Sequence, residues 1–246
     1  MTRALATAWI RSFAVQGSWN YDRMVGLGLA HVMEPLLRGM PGPDGEERVR
    51  KALGRAATFF NAHPYLVGLG AGALARAAHD AVPLHQVERL KGALVASLGS
   101  VGDRLVWAGW LPVSSAAGIM ATIVVSPMAG VLVFLLTYNV VHLLVRWWGL
   151  SAGWRDGIGV AAALSGPVMQ VALRIVGRAA PFAVGLALPL AVEWLVRSLP
   201  AEAFTGIAVT AVVALGLGRW LAPTLGGVRV GLALVGVALL AGMLWR

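Results

Sequence analysis

Apolar and polar positions are spread unevenly along this chain. Residues 118–145, "GIMATIVVSPMAGVLVFLLTYNVVHLLV", contain no Asp, Glu, Lys or Arg, and about 20 apolar residues suffice to cross the hydrocarbon core of a bilayer. The pattern predicts a membrane segment there. Weaker apolar stretches follow at 158–173, 180–196, 206–218 and 230–244, each expected to span the membrane or to dip into it. At the amino terminus the period is helical. Leu5, Trp9 and Phe13 fall on one face and Arg3, Thr7 and Arg11 on the opposite one, the pattern of a helix that lies on a membrane surface or packs on a partner. The first 20 residues lack an uninterrupted apolar stretch ending in a small-residue cleavage site, so no cleavable leader is expected.

Three regions follow from this reading: an amphipathic and interfacial or re-entrant helical region at 1–91, a membrane core at 92–155, and apolar helices at 156–246. The expected fold class is all-α, a polytopic membrane protein with re-entrant or broken helices and an amphipathic N-terminal helix. Most polar residues sit in the first region. Pro41, Gly42, Pro43 and Gly45 predict a turn, and Glu46 and Glu47 after it suit the positive end of a solvated helix. Gly68, Gly70 and Gly72 have the spacing G-x-G-x-G, which fits neither the dinucleotide fingerprint nor the P-loop. Small residues four apart, such as Gly68 and Gly72, instead let helices approach closely in lipid.

Charge is scarce where the chain is most apolar. Between Gly92 and Val145 the only formal charges are Asp103 and Arg104, and ionised groups at membrane depth are candidates for function. Gly99, Gly102, Gly109 and Pro112 are expected to interrupt the helix around them, and broken, glycine-rich segments with a lone acid are typical of transporter binding sites. Asp103 therefore either lines a substrate path or gate, or caps a half-helix while Arg104 reaches a headgroup. Trp107 and Trp110 have faces suited to sugar rings, although anchoring at the membrane interface is the commoner use of Trp.

Composition narrows the classes. The 246 residues are 58% hydrophobic and 13% charged, against roughly 25% charged in soluble domains. The formal net charge of +9 comes from Arg and Lys scattered at the ends of apolar segments, which fits anchoring to anionic lipid and not a nucleic-acid partner. The absence of cysteine excludes disulfides and thiolate sites. His31, His63, His79, His85 and His142 lack metal-ligand spacing, and no cofactor is expected.

Four ordered motifs carry a family resemblance. "RSFAVQGSWNYDRMVGLGLAHVMEPLL" at 11–37, "FFNAHPYL" at 59–66, "GSVGDRLVWAGWLPVSSAAG" at 99–118 and "YNVVHLLVRWWGLSAGW" at 138–154 resemble the signatures of the IID subunit of mannose-family phosphotransferase-system (PTS) permeases. The resemblance implies a non-catalytic membrane subunit of the bacterial cytoplasmic membrane. Such a subunit works with a IIC-type partner to move a hexose inward, while cytoplasmic IIA and IIB units carry the phosphate. Carried over by motif, Asp103, Trp107, Asn61 and His63 are expected along the translocation path, and Asn20, Tyr21, Asp22, Arg23, Arg104 and Arg146 in subunit or interhelical contacts. For Asn61 and His63 a second role stays open, that of satisfying backbone groups freed by Pro64.

Two departures matter. Arg104 stands where the family usually has Ser after Gly-Asp, and Leu111 where it has Arg before Pro. In an α-helix positions 104 and 111 share a face, so Arg104 either takes over the electrostatic work or marks an altered sugar path. The competing reading is a scaffold or regulatory subunit that kept the fold and lost transport. A lipid-phosphate enzyme would need an acid-rich cluster for Mg²⁺ or a convergent basic pocket; only Glu46 and Glu47 are adjacent acids.

Overall fold

The computed structural model describes residues 2–198 together with Val209, Val212, Val213 and Gly216. The expected segment at 230–244 lies outside the described residues, as does 206–218 apart from those four. Residues 1–188 form one compact unit and 189–246 a second. Among the described residues the elements are helical, with only isolated β-bridges at Asn20–Met24 and Met24–Phe60.

The chain order is α1 (Thr2–Arg11), α2 (Gly26–Leu37), α3 (Gly45–Ala56), α4 (Val67–His79), α5 (Leu84–Gly102), a π-helical stretch (Asp103–Trp110), α6 (Leu111–Val124), α7 (Pro127–Asp156), α8 (Ala161–Ser165) and α9 (Pro167–Ser198). Short 3₁₀ turns occupy Ser12–Ala14 and Gly157–Val160. The signals that bound these elements are local. Glu46 and Glu47 open α3, where carboxylates meet the positive end of the helix dipole. Gly157 ends α7 at φ +53°, a conformation glycine adopts without strain.

Two expectations change in form. The uncharged run 118–145 is not one helix: it turns at Val125–Ser126, where the Ser126 Oγ accepts the Ala129 N–H at 3.2 Å and Pro127 begins α7. Pro suits that first helical position because its missing N–H would be unpaired there anyway. The glycine-rich stretch, in turn, is not broken into loops. Its α ladder gives way to a π-helix over Asp103–Trp110, so helical backbone continues from Leu84 to Val124. Both 84–124 and 127–197 are long and apolar enough to cross a membrane.

α4 is the buried centre. Gly68 faces Leu150, and a Cβ on Gly72 would lie 2.5 Å from the Leu150 carbonyl oxygen and 2.5 Å from the Trp154 nitrogen; one on Gly153 would strike the Leu69 carbonyl oxygen. Backbones of α4 and α7 therefore touch where side chains are missing. Beyond that contact, much of α7 and α9 presents large apolar side chains outward, among them Leu132, Leu136, Leu144 and Phe182. Such bands suit hydrocarbon, not water. At 1.5 Å per residue the 30-residue α7 is about 45 Å long, against ~30 Å of hydrocarbon.

The amino-terminal helix is held by packing and charge together. Leu5 and Trp9 join the core while Arg3 and Thr7 are exposed, as the period predicts, but Phe13 at the end of the expected apolar face is 41% exposed and Arg11 on the polar face is partly buried. Arg11 donates to Glu34 at 2.5 Å, and Arg38 donates to the same carboxylate at 2.5 Å. The Arg38 hydrogen bond foremost, opposed by burial and reinforced by Arg11, holds the Glu34 carboxyl below the usual carboxylate range.

One substitution tests the α4–α7 contact and a second, on α5, is its control. Gly72→Leu is expected to cost about 1–3 kcal/mol by overpacking, read as a lowered Tm in detergent. Gly92→Ala, at a helical position with open space, is expected to leave Tm unchanged or raise it.

Candidate functional site

The residues singled out from the sequence meet where the extended segment 59–66 lies along the end of α5 and the π-helix. The His63 N–H donates to the Leu98 carbonyl at 3.4 Å. One turn on, the His63 side chain occupies the space a Cβ on Gly102 would need, and Asn61 lies beside Gly99, its Nδ2 3.8 Å from that glycine's Cβ position. Glycine at 102 thus lets the segment close on the helix, whereas a Cβ at 99 would make only ordinary contact. The His63 and Trp107 rings are 5.0 Å apart.

Each of the four path candidates sits differently. Asn61 is exposed. His63 is 2% exposed; its Nδ1 accepts the Tyr65 N–H at 3.2 Å, while its Nε2 is buried without a hydrogen-bond partner. One half of the ring therefore satisfies a backbone group next to Pro64, and the other half is uncommitted. Trp107 is 44% exposed. Asp103 is exposed at the start of the π-helix, and no helix-capping hydrogen bond or ion pair engages its carboxylate among the described residues.

Arg104 is exposed and donates from Nε to the Ser100 carbonyl at 3.4 Å. The face it was expected to share with Leu111 assumes an α-helix, and the wider π winding between them offsets the two positions. Asn20 closes a turn, its Oδ1 accepting the Asp22 and Arg23 N–H groups at 3.1 and 2.9 Å. Asp22 and Arg23 are exposed and, among the described residues, form no ion pair within the chain. Tyr21 is 82% exposed and packs edge-on against Trp19, ring centroids 4.8 Å apart.

Arg146 stands at the centre of a cluster whose other members the sequence reading did not single out. It is 3% exposed, and among the described residues no carboxylate pairs with it. Its Nε donates to His142 Nε2 at 2.6 Å, and its Nη1 donates to the Ser12 carbonyl oxygen and, at 3.3 Å, to Ser12 Oγ. The guanidinium carbon lies 4.7 Å from the Tyr65 ring centroid and 5.0 Å from that of Phe13. Tyr65 stacks on His142 at 4.0 Å and its hydroxyl meets that of Tyr138 at 2.5 Å. A signal for part of this was present: Tyr138, His142 and Arg146 recur every four residues, one face of a helix.

The geometry places an exposed carboxylate and a half-exposed indole on the π-helix, with a buried, uncommitted imidazole nitrogen of the adjoining segment behind the indole-bearing stretch. Carboxylates and imidazoles hydrogen-bond hydroxyls, and indole faces stack on CH-rich rings. Among the described residues no cluster of three metal-ligating side chains occurs.

Comparison with known proteins bears on what these residues serve. The family described as "PTS system mannose/fructose/sorbose family IID component" matches residues 1–213. The chain is 32% identical over 172 residues to the sorbose-specific EIID component of Klebsiella pneumoniae, covering 68% of this chain and 61% of that one. It is 31% identical over 168 residues to the mannose-specific EIID component of Escherichia coli strain K12, covering 66% and 58%. It thus spans about three fifths of the length of these curated relatives. Among solved structures, the mannose transporter ManYZ in complex with microcin E492 aligns with a TM-score of 0.56 at 27% identity, over 76% of this chain and 69% of that one. A further membrane protein aligns with a TM-score of 0.64 at 21% identity, over 88% and 97%, a likeness of fold. With its four motifs in order and the family matched across most of its length, this chain belongs to the IID components of the mannose/fructose/sorbose family of the phosphotransferase system.

Proposed function

We propose that this chain is a non-catalytic, multi-pass subunit of the bacterial inner membrane which, with a IIC-type partner, forms the path of a hexose. Separate IIA and IIB units supply phosphoryl transfer. The division into regions 1–91, 92–155 and 156–246 belongs to the same proposal. The observation that carries it is the grouping at the π-helix: His63 Nε2 buried without a partner, with Trp107 against its ring and an exposed Asp103 four residues earlier.

Asp103 hydrogen-bonds sugar hydroxyls in this reading and Trp107 packs on a ring face, while the buried His63 Nε2 joins them only once a membrane unit moves. A π-helical stretch suits such a place, because its i→i+5 bonds leave the backbone able to shift register as a membrane unit moves. The turn at Asn20 holds Tyr21, Asp22 and Arg23 outward, where they meet the IIC-type partner. Arg104 contributes at that surface, while Arg146 acts inside the chain, tying α7 to the segment before α2.

Hexose uptake by cells carrying the chain with its IIC, IIA and IIB partners tests the path. Asp103→Asn is expected to lower uptake about tenfold or more at equal protein abundance, the effect of one hydrogen bond to a charged group. Unchanged uptake removes Asp103 from the path, and uptake independent of this chain altogether favours the scaffold reading that Arg104 and Leu111 motivate.

Two further variants separate the roles. Asp22→Asn with Arg23→Gln is expected to lower recovery of the IIC-type partner in co-purification about fivefold, with the Tm of the isolated chain unchanged. Arg146→Ala is expected to cost about 2–3 kcal/mol through its lost charged hydrogen bonds, lowering Tm and speeding trypsin cleavage after Arg11. Arg146→Lys does not restore either, because an ammonium lacks the planar face that stacks on Tyr65.

A further inference from the structure

Away from the π-helix, a cavity of about 280 Å³ opens among α3, α4 and α5. Its walls differ in kind. Met33, Leu74 and Val87 make an apolar side, and Arg48, Lys51, Arg55 and Lys91 bring four cations against one carboxylate, Glu88.

Lys91 is the unusual member. It is 7% exposed, and its Nζ donates to the Arg55 carbonyl oxygen at 2.6 Å and to Thr58 Oγ1. Among the described residues no carboxylate forms an ion pair with it, although Glu88 lies one helical turn away on α5. An ammonium carries three N–H donors, so these two bonds leave one. The other cations are engaged only in part. Arg48 donates to the Ala78 carbonyl at 2.9 Å and Lys51 pairs with Glu47 at 2.8 Å, while the Arg55 guanidinium is half-buried with no ion pair among the described residues.

Placement adds the second constraint. α5 begins the stretch 84–124, which is long and apolar enough to cross a membrane; in a spanning orientation its polar first two turns, with Lys91, fall at the level of lipid phosphates. Basic pockets between membrane helices bind anionic headgroups there.

We propose that this cavity binds the headgroup of an anionic phospholipid. The phosphate sits among Lys91, Arg55 and Lys51, and the first acyl methylenes lie against Met33, Leu74 and Val87. The apolar side is what a free phosphate would leave unused, and the excess of cations is what a zwitterionic headgroup would leave unbalanced. The proposal does not depend on the sugar path, only on the membrane placement of α5.

The test uses the full chain with its partner in neutral detergent, with dioleoyl phosphatidylglycerol, dioleoyl phosphatidylcholine or inorganic phosphate added. Retention is read by native mass spectrometry, and Tm is read in parallel. Phosphatidylglycerol is expected to be retained and to raise Tm. Lys51→Gln with Arg55→Gln, both on the accessible side of α3, is expected to weaken that binding about thirtyfold while the lipid-free Tm stays put. Glu88→Gln is expected to tighten it, a direction that a merely structural role does not produce. Equal retention of phosphatidylcholine, full reproduction of the shift by inorganic phosphate, or binding indifferent to these variants overturns the proposal.

Discussion

A guanidinium buried with no carboxylate beside it among the described residues governs the middle of this structure. Burying an isolated charge costs far more than a folded protein has to spare unless hydrogen bonds and polarisable groups surround it. Arg146 meets that constraint with the Ser12 carbonyl, His142 Nε2 and two aromatic faces. These four partners come from three parts of the chain. Ser12 and Phe13 belong to the turn after α1, Tyr65 to the segment that ends in α4, and His142 to α7 itself. Satisfying one cation thus fixes three regions together, and His63 is set two residues from the ring that Arg146 covers.

How much of this was legible in the sequence depends on the distance over which each contact acts. The faces of α1, the start of α3 and the small-residue contact of α4 with α7 were readable, because capping, dipole and helical period act within a few residues. The turn at Ser126 was missed for a local reason. No charge marks it, and Ser-Pro within a long apolar run was its only cue. The Tyr138, His142 and Arg146 stripe was readable as a face, but not its partners Ser12 and Tyr65, which lie 134 and 73 residues away from Arg146 and Tyr138. The contact of His63 with Trp107 had no cue in composition or periodicity; the motif resemblance set both residues along one path without predicting that they touch.

Glycine shows why pattern and geometry diverged at residues 99–109. Read as helix breakers, Gly99, Gly102 and Gly109 predict interruption. In the structure the latter two act by lacking side chains: His63 fills the place at Gly102, and Val176 of α9 approaches Gly109 to within 2.7 Å of a would-be Cβ. At Gly102 and Gly109 neighbours occupy the space a side chain would take, and over Asp103–Trp110 the helix continues in π form. A long apolar helix then carries a carboxylate and an indole outward on one edge while the adjoining edge is sealed.

Charge placement follows from the same economy of solvation. Between Gly92 and Val145 the chain admits two formal charges, both exposed at the π-helix, whereas cations gather around the start of the 84–124 span. An ionised group inside hydrocarbon needs its partner supplied by protein, as Arg146 has it; one at the border can draw on headgroups and water. Among the described residues Asp103 has no such partner. A carboxylate exposed on a helix long and apolar enough to cross a membrane is favoured where another surface or a polar solute completes its surroundings, and among the described residues Asp103, beside Trp107 and the His63 segment, is placed to meet one.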